Sequence, residues 1–386
     1  MIKILTRNKI ADCGLNVLPK DKFVISDKVA SPDGIILRSY VIPEEELTSG
    51  LKAIGRAGAG TNNIPVESCA EKGIVVFNTP GANANGVKEI VIAGMLLASR
   101  DIVGGINWVQ GLKGESGVAK TVEKGKSEFV GPEISGKTLG VVGLGAIGVL
   151  VANACRSLGM SVIGYDPFVS VESAWNLSRG VKKAPDLDSL LAESDYISLH
   201  VPVTKDTKGM FNTETFAKCK PGVRIVNSAR AELVNDDDLL KAIDDEIVFC
   251  YVTDFPNEKM LGHKRVVPIP HLGASTPESE DNCATMAATQ LREYLLYGNI
   301  KNSVNFADCE LPYVGKKRIC ILHRNLPNVI SPVTTMLAGR SSNIANMLVT
   351  SKGDFAYAIL DVDCPDLGNI GDEIAKLPNV ILVRVI

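Results

Sequence analysis

The sequence lacks the features that mark several large classes of protein. Its 386 residues include 41 Lys and Arg against 44 Asp and Glu, a formal net charge of −3. That balance gives no general attraction to nucleic acid or to an anionic membrane, so we predict neither as a partner. No apolar run reaches the length of a membrane span, and the N-terminus enters a strand-like pattern without a signal peptide. We therefore expect a cytoplasmic location.

The cysteine pattern excludes two further classes. The nine cysteines are scattered, odd in number and contain no C-x-x-C pair. This disfavours both a disulfide framework and a zinc ribbon, and most of these cysteines are predicted to be small core residues. No metal site is predicted.

What the sequence does contain is a glycine motif placed directly after an apolar run. Gly143, Gly145 and Gly148 form G-x-G-x-x-G after Thr138–Val142, a run typical of a strand buried on both faces. In a dinucleotide-binding turn, the first glycine turns the chain, the second lets backbone approach a pyrophosphate, and the third lets helix pack on strand. The alternative is a tight strand-to-helix turn that binds nothing.

The residues after the motif favour the dinucleotide. Residues 147–158 predict a helix whose N-terminal amides would face a pyrophosphate. A second apolar run, Ser161–Tyr165, ends at Asp166, about twenty residues past the motif, where a carboxylate accepts hydrogen bonds from both ribose hydroxyls. Because that carboxylate would repel a 2′-phosphate, NAD is the predicted cofactor.

The order of the other segments predicts two α/β sheets and a third unit. Residues 1–80 alternate apolar runs with helix-like spacers, which indicates a small parallel sheet before the glycine motif. Residues 87–101 predict a buried bridging helix, and residues 279–298 predict a helix that returns the chain to the first domain. The last seventy or so residues predict the order strand, helix, strand, strand, helix, strand of a ferredoxin-like fold.

Hydride transfer to a nicotinamide leaves a proton for the protein to handle, normally with a group that titrates near neutrality. Of the four histidines, His271 follows a predicted strand at the ligand edge of the cofactor domain. His200 lies within a strand, His263 lies in a loop, and His323 lies in the C-terminal unit. We predict His271 as the acid–base group, the alternative being a hydrogen-bonded structural histidine.

Two further residues at predicted strand ends complete a constellation. Glu258 would orient the histidine and stabilise its imidazolium form. Arg230 would bind a substrate carboxylate through a two-point fork. The alternatives are a plain surface carboxylate and a surface salt-bridge arginine.

Arg230, Glu258 and His271, in this order after GLGAIG and Asp166, resemble the D-2-hydroxyacid dehydrogenase family over essentially the whole chain. The similarity is greatest to the branch that carries a C-terminal ACT domain and oxidises 3-phospho-D-glycerate to 3-phosphooxypyruvate at the entry to L-serine biosynthesis. The resemblance implies that the histidine takes the hydroxyl proton, the glutamate supports it and the arginine holds the carboxylate. Another D-2-hydroxyacid dehydrogenase, such as a hydroxypyruvate or glyoxylate reductase, and a non-catalytic NAD-sensing scaffold are the alternatives.

The resemblance also assigns further binding residues. The substrate-binding set is Arg38, Ser39, Gly58, Ala59, Gly60, Asn83, Arg230 and His271. The cofactor-binding set is Gly143, Gly145, Ala146, Ile147, Gly148, Asp166, Val201, Pro202, Thr207, Ser228, Ala229, Arg230, Asp254, His271 and Gly273. The candidates for binding an L-serine effector are His323, Asn325 and Asn343, the alternative being an ACT fold used only for oligomerisation.

The implied fold class is α/β, in three parts. A discontinuous flavodoxin-like substrate-binding domain would comprise residues 1–82 and 274–312. A Rossmann-type, doubly wound parallel sheet in residues 83–273 would bind NAD. Residues 316–386 would form a ferredoxin-like ACT domain, and the protein is expected to be a homo-oligomer, either a dimer or a tetramer.

Overall fold

The computed structural model describes residues 1–364 and 367–386. The described chain forms two compact units: the first comprises residues 1–82 and 280–386, and the second comprises residues 83–279. The finer division into three domains stays a prediction.

The first unit begins with a five-stranded parallel sheet of strand order β2-β1-β3-β4-β5. Two of its strands, the inner strand β3 and the edge strand β5, are continuous apolar runs that are buried throughout, as expected for strands that are covered on both faces. This strand order is the flavodoxin-like one. Successive strands are added toward one edge of the sheet up to β2 and toward the other edge from β3, so the switch point lies between β1 and β3. The elements are β1 (Ile2–Thr6), α1 (Asp12–Leu15), β2 (Phe23–Ser26), β3 (Gly34–Leu37), β4 (Ala53–Arg56), α2 (Val66–Glu71) and β5 (Val75–Phe77).

The second unit contains a seven-stranded parallel sheet of order β12-β11-β10-β9-β6-β7-β8. This is the Rossmann order with one added strand. The elements are α3 (Ala84–Ser99), α4 (Ile102–Gly111), α5 (Val118–Gly125), β6 (Thr138–Val142), α6 (Ala146–Ser157), β7 (Ser161–Tyr165), α7 (Val171–Asn176), β8 (Lys182–Lys183), α8 (Leu187–Glu193), β9 (Tyr196–Leu199), α9 (Thr213–Phe216), β10 (Val223–Asn227), α10 (Asp236–Asp244), β11 (Val248–Thr253) and β12 (Val266–Pro268).

Local side-chain chemistry determines where several of these helices begin. Asp186 accepts the N–H of Ser189 at the start of α8, and Asn235 caps α10. These caps satisfy amides that the helix itself leaves unpaired. By contrast the N-cap of α6, Gly145, has no side chain, so no side-chain cap bonds to the first amides of this helix.

The remainder of the chain adds a long helix and a four-stranded antiparallel sheet of order β14-β15-β13-β16. This order, with two helices on one face, is the ferredoxin-like arrangement that the sequence predicts. The elements are α11 (Pro277–Tyr297), β13 (Lys317–Arg324), α12 (Ile330–Gly339), β14 (Asn343–Lys352), β15 (Phe355–Asp363), α13 (Ile370–Ala375) and β16 (Val380–Val385).

The inner strand β13 of the antiparallel sheet is covered on both faces. Alternate residues of β13 point in opposite directions: Ile319 and Ile321 pack with α12 and α13, whereas Cys320 and Leu322 join the core that includes the five-stranded sheet. Arg384 of β16 donates to the carbonyl oxygens of Tyr294 and Leu295, in the last turn of α11. These contacts satisfy carbonyls that a helix C-terminus leaves unpaired.

The α/β fold class is therefore confirmed, with a Rossmann-type sheet, a flavodoxin-like sheet and a ferredoxin-like antiparallel sheet. No helix in residues 1–364 and 367–386 is both long enough and apolar enough to cross a membrane.

Candidate active site

The seven-stranded sheet reverses its order at β6, which lies between β9 and β7. In doubly wound sheets, ligands bind beside such a reversal, at the edge where the strands have their carboxyl ends. Gly143 follows β6, and His200 follows β9. The N–H of His200 donates to the carbonyl oxygen of Val142 at 2.8 Å, so the two loops leave the sheet side by side.

The three motif glycines meet different demands. Gly143 has φ 94°, and an added Cβ would lie 2.7 Å from the carbonyl oxygen of His200. A Cβ on Gly148 would lie 1.9 Å from the carbonyl oxygen of Gly143. A Cβ on Gly145 would meet no atom within 4 Å. The fold therefore requires Gly143 and Gly148, whereas Gly145 borders open space that a ligand could occupy.

Asp166, at the end of β7, is hydrogen-bonded to this glycine loop. Its Oδ2 accepts the N–H of Leu144 at 2.8 Å, and its Oδ1 accepts the N–H of Phe168 at 2.8 Å. Each carboxylate oxygen has a further lone pair for a ribose hydroxyl. The uncapped amides at Ala146 and Ile147, the open position at Gly145 and this carboxylate together fit a dinucleotide.

The loop after β9 holds its own shape. The hydroxyl of Thr207 donates to the carbonyl oxygen of Pro202 at 2.6 Å and accepts the N–H of Thr204 at 2.8 Å. Val201 is partly buried at the start of this loop. The predicted cofactor-binding residues here thus lie in one hydrogen-bonded turn beside the glycine loop.

His200 itself belongs to the sheet. Its Nε2 lies 2.8 Å from the hydroxyl of Ser198. Burial lowers the pKa of His200 to about 3. The ring is therefore neutral at physiological pH, which makes it unsuited to proton transfer there.

Asn227, the last residue of β10, shapes the loop of Ser228, Ala229 and Arg230. Its Oδ1 accepts the N–H groups of Ala229 and Arg230 at 3.1 and 3.3 Å. Its Nδ2 donates to the carbonyl oxygen of Arg230 at 2.8 Å and to the hydroxyl of Tyr251 at 3.0 Å. The Arg230 side chain is exposed, as a substrate-binding arginine would need to be. Sequence reasoning missed Asn227, although a polar amide at a strand end was a usable signal.

Asp254, directly after β11, holds the loop that carries His271. It is 2% exposed. Its two carboxylate oxygens accept the N–H groups of Leu272 and Gly273 at 2.7 and 2.8 Å. His271 adopts φ 53°, and its ring lies 4.8 Å from that of Phe255, at 58°. The buried carboxylate thus fixes the backbone while the imidazole stays exposed.

Glu258 lies in the loop after β11, with an exposed side chain. Its neighbours are fastened to α10: Asn257 donates to Asp236 at 2.7 Å, and Lys259 pairs with Asp237 at 2.7 Å. Within residues 1–364 and 367–386, Glu258 makes no hydrogen bond to His271. The proposed glutamate–histidine pair stays a prediction.

The helix that follows Asn83 packs on the same loop. A Cβ on Gly86 would lie 2.9 Å from the carbonyl oxygen of Gly273 and 2.9 Å from the hydroxyl of Ser279. Only a residue without a side chain allows this approach. The start of α3 and the His271 loop are therefore neighbours in the second unit.

The five-stranded sheet has its own reversal, between β1 and β3. Asn8, which follows β1 with φ 67°, accepts the N–H groups of Arg38, Ser39 and Tyr40 on one Oδ1, at 3.3, 3.0 and 2.8 Å. Asn63 donates from Nδ2 to the carbonyl oxygens of Arg38 and Tyr40, at 3.3 and 2.7 Å. Two asparagines that sequence reasoning missed thus hold the predicted substrate loop.

Arginines end three neighbouring strands of this sheet. Arg7 follows β1 and pairs with Glu46 at 2.8 Å. Arg38 follows β3 and pairs with Glu280 at 2.5 Å. Arg56 ends β4.

The predicted carboxylate-binding turn, Gly58, Ala59 and Gly60, follows Arg56. Gly58 has φ 149°, and an added Cβ would collide with the Arg56 guanidinium. The carbonyl oxygen of Ala59 accepts a hydrogen bond from Asn78 at 2.6 Å. Arg56 is a cation at this turn that sequence reasoning also missed, although it ends a strand just as Arg38 follows one.

The three candidate effector residues do not meet within one chain. His323 is buried, and burial lowers its pKa; Nδ1 lies 2.7 Å from the carbonyl oxygen of Arg324. Asn325 donates to the carbonyl oxygen of Gly353 at 3.0 Å. On β15, Asp363 is the partner of Asn343 and Ala356 is the partner of His323. Asn343 and His323 therefore lie about 23 Å apart, measured along β15.

Together these features define a class: a doubly wound α/β protein whose glycine loop and strand-end carboxylate suit a dinucleotide. Residues 92–273 match the model of the D-isomer specific 2-hydroxyacid dehydrogenase family, NAD binding domain. The NAD+-bound 3-phosphoglycerate dehydrogenase of Entamoeba histolytica is 30% identical, with TM-score 0.62, over 79% of this chain and 98% of that one. The chain belongs to the D-isomer specific 2-hydroxyacid dehydrogenase family, and NAD is the cofactor of its second unit.

Curated relatives extend the similarity. A D-3-phosphoglycerate dehydrogenase of Synechocystis is 34% identical over 375 residues, covering 92% of this chain and 64% of that protein. Another, from Archaeoglobus fulgidus, is 34% identical over 333 residues, covering 80% of this chain and 60% of that protein. The chain thus spans less than two thirds of the length of these relatives.

In the described part of the chain, no cluster of three or more His, Cys, Asp or Glu side chains could hold a metal ion.

Proposed function

We propose that this chain is an NAD-dependent dehydrogenase that oxidises 3-phospho-D-glycerate to 3-phosphooxypyruvate, the reaction that begins L-serine biosynthesis. The observation that carries the proposal is the His271 loop, which the buried Asp254 fastens in the sheet that also presents the glycine loop. The family of the chain and the names of its relatives support the same reaction class.

Each of the three residues has a distinct task in this reaction. His271 takes the proton of the 2-hydroxyl group as a general base, since its imidazole is exposed and its backbone is fixed. Arg230 holds the substrate carboxylate with its planar fork. NAD, when bound, accepts the hydride from C2. Glu258 supports the imidazolium that forms, which requires its loop to bring the carboxylate to His271.

The five-stranded sheet supplies cations for an anionic substrate. Arg38 and Arg56 stand at the ends of adjacent strands, next to Ser39 and the Gly58 turn. A phosphate group is best bound by such positively charged side chains. We therefore propose that Arg38 and Ser39 bind the phosphate, and that the turn at Gly58, Ala59 and Gly60 and the side chain of Asn83 bind the rest of the substrate.

We further propose that the ferredoxin-like sheet is an ACT regulatory domain and that the protein is a homo-oligomer. L-serine would bind at His323 and Asn325 of one copy with Asn343 of another, because the two ends of the sheet are far apart within one chain. Calorimetry with L-serine tests this part: saturable binding that His323→Ala weakens would support it, whereas no heat would leave assembly as the role of the sheet.

A panel of 2-oxo acids tests the reaction. NADH oxidation should be fastest with 3-phosphooxypyruvate and slower with hydroxypyruvate, glyoxylate and pyruvate. Turnover of the unphosphorylated acids alone would defeat the substrate assignment. NADH binding without turnover of any acid would instead favour a non-catalytic NAD-sensing scaffold.

A second substrate class is favoured by one observation. Arg38 is already paired with Glu280, so its charge is balanced before any substrate arrives. This arrangement favours an unphosphorylated 2-hydroxy acid, with the protein acting as a hydroxypyruvate or glyoxylate reductase. The same panel separates the two classes.

A further inference from the structure

The loop of Arg38 has little backbone freedom. All three N–H groups from Arg38 to Tyr40 are bound to Oδ1 of Asn8, and two carbonyl oxygens are bound to Asn63. These amides are therefore unavailable to an anionic ligand. A ligand can therefore contact only the side chains of this loop. The position of the Arg38 guanidinium depends on rotation of its side chain alone.

The side chain of Arg38 is easier to redirect than that of Arg7. Arg7 is held by both oxygens of Glu46 and stacks on the ring of Tyr40 at 5.0 Å. Arg38 contacts Glu280 through Nη1 alone, and the two side chains are 41% and 48% exposed. An exposed ion pair of this kind is weak, so an incoming anion can compete for the guanidinium.

The position of Glu280 in α11 favours its negative charge independently of Arg38. Glu280 is the fourth residue of α11, which begins at Pro277, and a negative charge near a helix N-terminus is favoured by the helix dipole. Its carboxylate would then stand within a few ångströms of whatever Arg38 binds. A phosphate dianion there suffers repulsion that a neutral hydroxyl group does not.

We propose that Glu280 is a specificity-determining residue: its carboxylate competes with the substrate phosphate for Arg38 and reduces the preference for a phosphorylated over an unphosphorylated acid. This inference rests on the proposed function, since it takes Arg38 as the residue that binds the phosphate. The residue does not act on the reacting atoms.

The matched variants are Glu280→Gln and Glu278→Gln, two exposed glutamates of the same helix turn, of which Glu280 is the one that pairs with Arg38. We expect Glu280→Gln to raise the ratio of kcat/KM for 3-phosphooxypyruvate to kcat/KM for hydroxypyruvate by about 10-fold. Glu278→Gln should leave this ratio within about twofold, since the ion pair of Arg38 is with Glu280 and an exposed charge outside that pair is screened. A ratio that is unchanged or lower in Glu280→Gln would overturn the proposal.

A binding measurement separates this inference from the proposed reaction. Calorimetry with the NADH-loaded protein, which cannot oxidise a hydroxy acid, compares the binding of 3-phospho-D-glycerate with that of D-glycerate. A gain in selectivity for the phosphorylated acid in Glu280→Gln that disappears when Arg38→Met is added supports the role of Glu280, even if no acid is oxidised. The same gain in the Arg38→Met background, or no gain in either background, would contradict it.

Discussion

The two parallel sheets place their candidate functional loops at the same kind of position but fasten them with different chemistry. In the seven-stranded sheet, carboxylates hold two of the three loops, Asp166 the glycine loop and Asp254 the His271 loop, while the amide of Asn227 holds the loop of Arg230. In the five-stranded sheet a neutral carboxamide, Asn8, holds the Arg38 loop. A carboxylate makes stronger bonds to backbone N–H groups.

The difference in charge suits what each loop is proposed to bind. Asp254 places a carboxylate under the His271 loop, on which the proposed reaction leaves a proton. Negative charge beside Arg38, which Glu280 already supplies, opposes an anionic substrate, and Asn8 holds the loop without adding a further charge. A strand-end residue can thus organise a loop and set its local potential at the same time.

The largest expected effect tests whether the seven-stranded sheet performs the proton chemistry. His271→Ala should lower kcat by about 10²- to 10⁴-fold, because it removes a general acid–base group. The affinity for NADH, measured by fluorescence titration, should fall by a much smaller factor than kcat, because the other predicted cofactor-binding residues remain. His263→Ala is the control, since His263 lies in another loop beside Asp244. A near-normal kcat in His271→Ala would move the proton chemistry to another residue.

Exchanging carboxylate and carboxamide at the two residues that hold these loops, Asp254 and Asn8, tests the comparison directly. Asp254→Asn should lower the free energy of unfolding by about 2–3 kcal/mol, because an amide NH2 would face a buried backbone N–H. Asn8→Asp keeps an acceptor for its three N–H groups and should cost less than about 1 kcal/mol, while it raises KM for the phosphorylated acid several-fold. Urea unfolding and steady-state kinetics measure the two quantities. Equal losses of stability in the two variants would show that the charge of the fastening residue is irrelevant.

Acid should reveal another difference between the sheets. Burial lowers the pKa of His200 to about 3, whereas residues 1–82 contain no histidine. The unfolded chain binds this proton first as the pH falls below about 6.5, so stability should drop by up to about 1.4 kcal/mol per pH unit between there and the folded-state pKa. Unfolding curves at pH 7 and pH 5 should be closer together for His200→Asn than for the parent. Equal pH dependence of both proteins would contradict the burial of a neutral ring.

The smallest effect concerns the open glycine. Gly145→Ala should leave the thermal midpoint unchanged and weaken NADH binding by about 10-fold, because the methyl group meets no protein atom but occupies the path of a pyrophosphate. Gly111→Ala, also in open space, is the matched control and should change neither quantity. Unaltered NADH affinity in Gly145→Ala would separate the glycine loop from the cofactor.

The sequence predicted the elements whose signals are local. The apolar run before Gly143, the glycine spacing and Asp166 define a strand, a turn and a helix start within about thirty residues, and the structure has each of them. The order of elements likewise predicted the ferredoxin-like sheet. The family assignment followed from residues at strand ends, because parallel strands deliver their carboxyl ends to one edge.

Residues that act across the sheet were beyond the sequence. Asn8 and Asn63 contact Arg38 from about thirty and twenty-five positions away, and Asp254 contacts Gly273 across a whole loop. Glu258 satisfied the sequence pattern, and its pairing with His271 stays a prediction. The sharing of a core between the antiparallel sheet and the five-stranded sheet has no local signal either.

The sequence by itself determined which functional groups are present: a glycine turn, a carboxylate placed for a ribose, and an arginine and a histidine at strand ends. These depend on residue type and short-range order, which a linear pattern records. The tertiary structure alone decided how that chemistry is held and charged, through Asp254 under the His271 loop, Asn8 under the Arg38 loop and Glu280 beside Arg38. Hydrogen bonds and ion pairs depend on distance in space, and only the folded sheet brings these distant residues together.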